Sequence, residues 1–215
     1  MAALQSSTPE LRKDKQITYF LRCLKTYLPR QYTSADSNRL MLAYFVISGL
    51  DLLGALETST TAEERLGYAD WVYRCQHPNG GFRGFPGTDF GDLSTPENAV
   101  WDPANIPATC FALLILLILR DDMKRVKRIE CLQWLKKMQR PDGSFGQTLG
   151  LHYSIEGGFD TRFGYVAMLV RWIIRILSVE DMTQLPDVDT KRLVQNISRR
   201  QVCSQNPVHS YIVLC

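Results

Sequence analysis

Twice in this chain an amphipathic helical stretch runs into the same kind of turn. Trp71-Val72-Tyr73-Arg74-Cys75-Gln76 leads into His77-Pro78-Asn79-Gly80-Gly81-Phe82, and Trp134-Leu135-Lys136-Lys137-Met138-Gln139 leads into Arg140-Pro141-Asp142-Gly143-Ser144-Phe145-Gly146. The two glutamines are 63 residues apart (139 − 76), and a further 62 residues (201 − 139) reach Gln201. Each part of the unit has a physical use. The glycines allow a reversal through left-handed backbone after a helix. The Phe can pack back onto the helices, and the Gln can bond loop backbone. A turn that was only a helix cap gives no reason for Trp, Gln, Gly and Phe to recur together. A repeated helical hairpin does, because such units bury their faces only by stacking on neighbours.

The stretches between the turns read as helices. Ile17 to Leu28 carries apolar residues at helical spacing and Pro29 ends it. Asp36 is placed to cap a second helix through Leu40, Leu42, Tyr44, Phe45 and Ile47 to about Leu56, apolar on most sides and expected to be deeply buried. Thr61-Ala62-Glu63-Glu64 is a capping box before a third helix through Trp71 and Val72. Residues 77–104, rich in Gly, Pro, Asp and Asn, read as loop. Helices follow over 108–119 and 125–139, then loop over 140–159. Asp160 is placed to cap an apolar helix to about Leu177, and Asp187 to Gln201 forms a last amphipathic one. Strongly apolar helices (40–56, 108–119, 162–177) thus alternate with amphipathic ones (63–75, 125–139, 188–201). No segment sustains period-2 alternation, so the fold class is all-α.

Charge and cysteine usage exclude several functions. With 25 Lys and Arg against 22 Asp and Glu, the net charge of +3 carries no basic tract, which argues against nucleic acid as partner. The longest apolar run, Ala108 to Leu119, is shorter than the roughly 20 residues a membrane helix needs. The first turns are polar and charged, unlike a secretory leader. Six cysteines, at 23, 75, 110, 131, 203 and 215, include no CxxC pair, and reduced thiols in a cytoplasmic protein are expected. His77, His152 and His209 show no metal-ligand spacing, so no metal site is expected within the chain. His77 and Arg83, in loops, are expected to face solvent.

The third unit departs from the pattern. After Gln201 the turn should supply Asp-Gly or Gly-Gly, but the chain continues Val202-Cys203-Ser204-Gln205-Asn206-Pro207 and ends at Cys215. Residues 1–201 therefore read as the repeat domain. Residues 202–215 read as an aberrant tail, expected to pack poorly against it.

Helical hairpins with these turns resemble the α/α-barrel of protein prenyltransferase β subunits, those of the type I geranylgeranyl class most. The resemblance is carried by Leu28-Pro29-Arg30-Gln31-Tyr32 and the segment Ser37 to Leu53, by Gly80-Gly81-Phe82-Arg83-Gly84, and by Asp160-Thr161-Arg162-Phe163-Gly164-Tyr165. It spans roughly residues 15–201. It implies an incomplete α/α-barrel (toroid), the first half of the ring. It also implies transfer of a geranylgeranyl group from its diphosphate to a cysteine thiol near the C-terminus of a CaaX protein. In such enzymes zinc lowers the thiol pKa, positive groups stabilise the departing diphosphate, and a helical-repeat α subunit completes a heterodimer.

The resemblance also implies residue roles. Arg162, Phe163 and Tyr165 would line the isoprenoid pocket. Met41 falls where side-chain bulk limits isoprenoid length, and a flexible Met of intermediate size favours the longer lipid. Asn105 and Pro107 stand where the family has His and Ala near the CaaX peptide, a departure that weakens that contact. The family's zinc ligands and diphosphate-gripping residues match nothing up to residue 201. A chain of this extent is expected to be inactive alone and to expose apolar surface. Rival readings are a farnesyltransferase or Rab-type β subunit, a terpene cyclase (although the DxDD acid of substrate-protonating cyclases is lacking), and a non-enzymatic repeat scaffold.

Overall fold

The computed structural model describes residues 11–27, 29–176 and 187–200. The helices are α1 (Lys13–Lys25), α2 (Arg39–Leu52), α3 (Leu56–Ser59), α4 (Ala62–Arg74), α5 (Ile106–Ile118), α6 (Arg128–Lys137), α7 (Thr161–Ile176) and α8 (Thr190–Arg200). A 3-10 helix spans Arg30–Asn38. The sole sheet among the described residues is a two-stranded antiparallel hairpin, β1 (Thr148–Leu149) with β2 (Ile155–Glu156), which pairs Thr148 with Glu156 and Leu149 with Ile155. It lies inside a stretch that reads as loop, because two residues per strand are too few for an alternation signal. The chain is an all-α fold of stacked hairpins. The apolar helices α2, α5 and α7 form one row, with α5 between the other two, while α4 packs on α5 and α6 on α7.

Local signals set several boundaries. Thr61 and Glu64 form the expected capping box: the Thr61 hydroxyl accepts the Glu64 N–H at 3.0 Å, and the Glu64 carboxylate accepts the Thr61 N–H at 2.8 Å. Asp160 accepts the Arg162 N–H at 2.8 Å at the start of α7, as expected of a cap. Asp36 does not cap α2. It sits within the 3-10 helix and pairs with Arg39 Nε at 2.7 Å, and the residue before α2 is Asn38, whose side chain makes no capping bond. The second helix also ends four residues before Leu56. Gly54 turns at φ +69°, and the Ala55 N–H closes onto the Leu50 carbonyl at 2.8 Å.

Burial follows the row. Ala112, Leu113, Ile115 and Leu116 of α5 are fully buried. The expectation of deep burial for the second apolar helix is not met: only Leu40, Ile47 and Leu50 of α2 are buried, and Phe45 is 54% exposed. α2 meets α1 and α5, and its exposed residues are Phe45, Asp51 and Leu52. Helices approach closely where glycine removes a side chain. A Cβ on Gly49 would stand 2.7 Å from the Phe20 ring, and one on Gly164 would stand 2.9 Å from Leu193 Cδ1.

The two turns superpose in function. Gly80 and Gly143 adopt φ +95° and +90°, and a Cβ on either would lie 2.3 Å from a carbonyl of the next outer helix, Glu130 and Arg192 respectively. Phe82 and Phe145 are buried as expected. Gln76 reaches beyond its own loop: its side chain accepts the Lys127 N–H at 2.7 Å and donates to the Arg125 carbonyl at 3.0 Å. Residues 202–215 lie outside the described residues, as do Cys203, His209 and Cys215.

Candidate functional site

The row of apolar helices presents aromatic surface. Tyr44 and Phe45 of α2 meet Phe111 of α5 with ring centroids 5.0 and 6.0 Å away. Met41, half-buried, lies one turn before Phe45. Along α7, Tyr165, Trp172 and Ile176 are exposed at helical spacing, Tyr165 by 69%. Phe163 is half-buried and packs against the core.

Arg162 stands at the start of α7 with a largely exposed side chain. Its Nε donates to Asp160 Oδ2 at 2.7 Å, so the carboxylate that caps the helix also aims the guanidinium. The bond from Arg162 holds the Asp160 carboxyl below the usual carboxylate range. Asn105 takes a structural part. It caps α5, accepting the Ala108 N–H at 2.7 Å, with its backbone bridged to Phe82 on one side and Thr148 on the other. The Asn-x-Pro order of Asn105, Ile106 and Pro107 is a helix-start signal that the sequence reading, which began the helix at 108, passed over.

His77 and Arg83 do not face solvent as expected. Arg83 is 1% exposed and Asp102 3%. Arg83 Nη2 donates to Asp102 Oδ2 at 2.7 Å, its Nε donates to the other carboxylate oxygen, and Nη1 donates to the Gln76 carbonyl at 2.8 Å. His77 is largely buried beside this pair, with Nε2 3.8 Å from Asp102 and Nδ1 accepting the Asn79 N–H at 3.0 Å. Burial, then the Arg83 charge, pushes its pKa down. A buried guanidinium requires a carboxylate partner, but that partner is 19 residues on, at no recognisable spacing. His77 and Asp102 also border a cavity of about 550 Å³ beside Trp134, Leu149 and His152.

The described cysteines are free, and burial pushes the thiols of Cys75, Cys110 and Cys131 up to about 12, which makes them packing groups rather than nucleophiles. Among the described residues no three His, Cys, Asp or Glu side chains gather into a group able to hold a metal ion, so these residues do not fit a zinc site. No described helix is long and apolar enough to cross a membrane.

Residues 11–206 match the prenyltransferase alpha-alpha toroid domain. The chain is 34% identical over 183 residues to the geranylgeranyl transferase type-1 subunit beta of Dictyostelium discoideum, a match covering 76% of this chain and 50% of that protein. It is 30% identical over 175 residues to the subunit of the same name from Arabidopsis thaliana, covering 79% of this chain and 45% of that protein. Among solved structures, Candida albicans protein geranylgeranyltransferase-I complexed with GGPP superposes with a TM-score of 0.73 at 28% identity, covering 89% of this chain and 52% of that one. The chain thus spans about half the length of the curated relatives it matches.

Proposed function

The chain belongs to the prenyltransferase alpha-alpha toroid family, and from that premise we propose that it serves as β subunit of a CaaX protein geranylgeranyltransferase. The reaction moves a geranylgeranyl group from its diphosphate to a cysteine thiol near the substrate's C-terminus. A C–S bond forms, the C–O bond to diphosphate breaks, and the thiol proton is lost. In the proposed heterodimer a helical α subunit partners the toroid, in the cytoplasm, where free cysteines such as those described here persist.

The observation that carries this reading is the uncovered aromatic surface of the inner helix row, with Arg162 held by Asp160 at the start of α7. Apolar walls suit a polyisoprenyl chain, whose burial is worth about 0.8 kcal/mol per CH₂. Arg162, at the start of α7, lines the isoprenoid pocket beside those walls, where its planar guanidinium can stack on apolar and aromatic surface. In this reading Tyr165 and Phe163 form wall, Met41 limits chain length, and Asn105 lies near the peptide while its side chain caps α5. No step is assigned to zinc, since the described residues supply no ligand set for it. Farnesyltransferase β subunits are also similar, at 28% identity for that of Arabidopsis thaliana, and Met41 is the residue on which the two substrates are discriminated here.

The test is binding of geranylgeranyl and farnesyl diphosphate to the purified chain, and transfer to a CaaX peptide with an α subunit added. The geranylgeranyl compound should bind more tightly, Met41→Trp should reverse that order, and Arg162→Ala should weaken both. Equal or reversed preference in the unmodified chain overturns the assigned substrate. Absence of binding to either overturns the reading.

A further inference from the structure

Two arginines from different elements close on the segment that leads into Arg162. Arg140, the first residue of the second repeat turn, donates from Nη2 to the Gly157 carbonyl at 2.6 Å and from Nη1 to the Gly158 carbonyl at 3.4 Å and the Phe145 carbonyl at 2.9 Å. Its guanidinium lies 4.5 Å from the centre of the Phe159 ring. Arg200, in the last turn of α8, donates to the Phe159 carbonyl at 2.8 Å and stands 5.4 Å from the same ring. Arg200 is itself held by Asn196 at 3.0 Å, and Asn196 donates to Asp142 of the turn at 2.9 Å. The backbone over 157–159 is therefore gripped from the turn before it and from the helix after it. The next residue is Asp160, whose carboxylate orients Arg162.

This grip is particular to the second turn. Counting 63 residues back, Arg140 corresponds to His77 (140 − 63) and Gly146 to Arg83 (146 − 63). In the first turn the guanidinium comes from the far side of the loop and is neutralised by Asp102. In the second it comes from the near side, passes 3.1 Å from where a Gly146 Cβ would stand, and is spent on carbonyls and an aromatic face instead of a carboxylate. The second arrangement is the one that adjoins Asp160 and Arg162.

We propose that Arg140 and Arg200 are positioning residues for the isoprenoid diphosphate, acting through the chain Phe159, Asp160 and Arg162. The proposal rests on the reading that Arg162 meets this ligand. Its signature is non-additivity, because a group that works by placing Arg162 has nothing left to place once Arg162 is removed.

The experiment titrates the purified full chain with a fluorescent analogue of geranylgeranyl diphosphate, comparing Arg140→Gln, Arg140→Lys, Arg162→Ala, and the double variant Arg140→Gln/Arg162→Ala, with thermal melts of each. Arg140→Gln and Arg162→Ala should each weaken binding about fivefold. The double variant should bind no more weakly than Arg162→Ala alone, and Arg140→Lys, which keeps a charged donor, should recover most of the affinity. Should Arg140→Gln melt below the assay temperature, Phe159→Leu replaces it. This variant removes the ring but leaves the carbonyl contacts of Arg140 and Arg200, and a loss of about twofold that vanishes in the Arg162→Ala background is expected. Normal binding by Arg140→Gln beside weakened Arg162→Ala overturns the proposal and spares the reading of Arg162, as does a double variant weakened by the product of the single effects. Normal binding by Arg162→Ala, or none by the unmodified chain, overturns both.

Discussion

Gln139 reaches 50 residues along the chain to clasp the backbone of Asp189, accepting its N–H at 2.7 Å and donating to its carbonyl at 2.9 Å. The same amide also donates to the Gly143 carbonyl of its own turn at 3.3 Å. Asp189 in turn accepts the Arg192 N–H at 2.9 Å, so one glutamine links the end of α6 to the cap of α8. Gln76 makes the equivalent link from α4 to the residues before α6, which explains why a glutamine recurs at each turn. Its single side chain offers both a donor and an acceptor, which the two groups of one peptide segment require.

Gln139→Ala should lower stability by about 1–3 kcal/mol, because the Asp189 N–H and carbonyl lose their partner in a partly buried site. Urea unfolding of the two proteins checks this. The midpoint should fall with the slope unchanged. An unchanged midpoint would mean that water replaces the amide at no cost.

Gly143→Ala should cost about 2–4 kcal/mol, combining left-handed backbone with a Cβ 2.3 Å from the Arg192 carbonyl. Gly54→Ala is the control: its φ is also positive, +69°, but a Cβ there would meet nothing within 4 Å. The difference between the two melting temperatures isolates the steric part of the effect from the conformational one.

Asp102→Ala removes the buried bidentate partner of Arg83 and leaves only the 44% exposed Asp89, 3.3 Å from Nη2, so it should destabilise by about 2–4 kcal/mol, toward the lower end of the range for a buried charge left wholly unpaired. Replacing both buried charges, as in Arg83→Met/Asp102→Leu, should be milder than Asp102→Ala alone, since the one charge then left without Arg83, Asp89, is 44% exposed and solvated. Denaturant titration of the single and double variants decides the matter. A double variant as unstable as the sum of the single ones would mean that the pair's shape, and not its charge, holds the loop.

Acid should weaken the same region through His77. Its folded pKa lies below the ordinary value of 6.5, first from burial and then from Arg83, with Lys127 adding to the depression and Asp102 and Asp89 opposing it. The unfolded chain therefore takes up the proton first as pH falls. The contribution is complete above about pH 6.5 and is lost as pH falls through the folded pKa. Thermal melts across that window should show a decline that His77→Gln flattens. Asp187, held low by Arg171, contributes only at more acid pH, where carboxylates titrate.

The sequence by itself determined the helical class, the hairpin repeat and the helix starts at Thr61 and Asp160, because these depend on groups within four residues of one another. Glycines that must turn left-handed and phenylalanines that must be buried carry the same local signature in both turns. The resemblance in Asp160 to Tyr165 likewise located the start of α7 and Arg162. Two local competitions went the other way: Asp36 was free to cap a helix on paper but pairs with Arg39 three residues on, and Gly54 stops the second helix where apolar periodicity continues. Tertiary structure decided the rest. Arg83 and His77 lie in a polar loop that reads as surface until Asp102, 19 residues on, folds over them. Arg140 and Arg200 meet only because the turn and α8 converge on Phe159. Such pairings follow from where a backbone brings charges once its apolar helices have stacked, and linear spacing carries no imprint of that convergence.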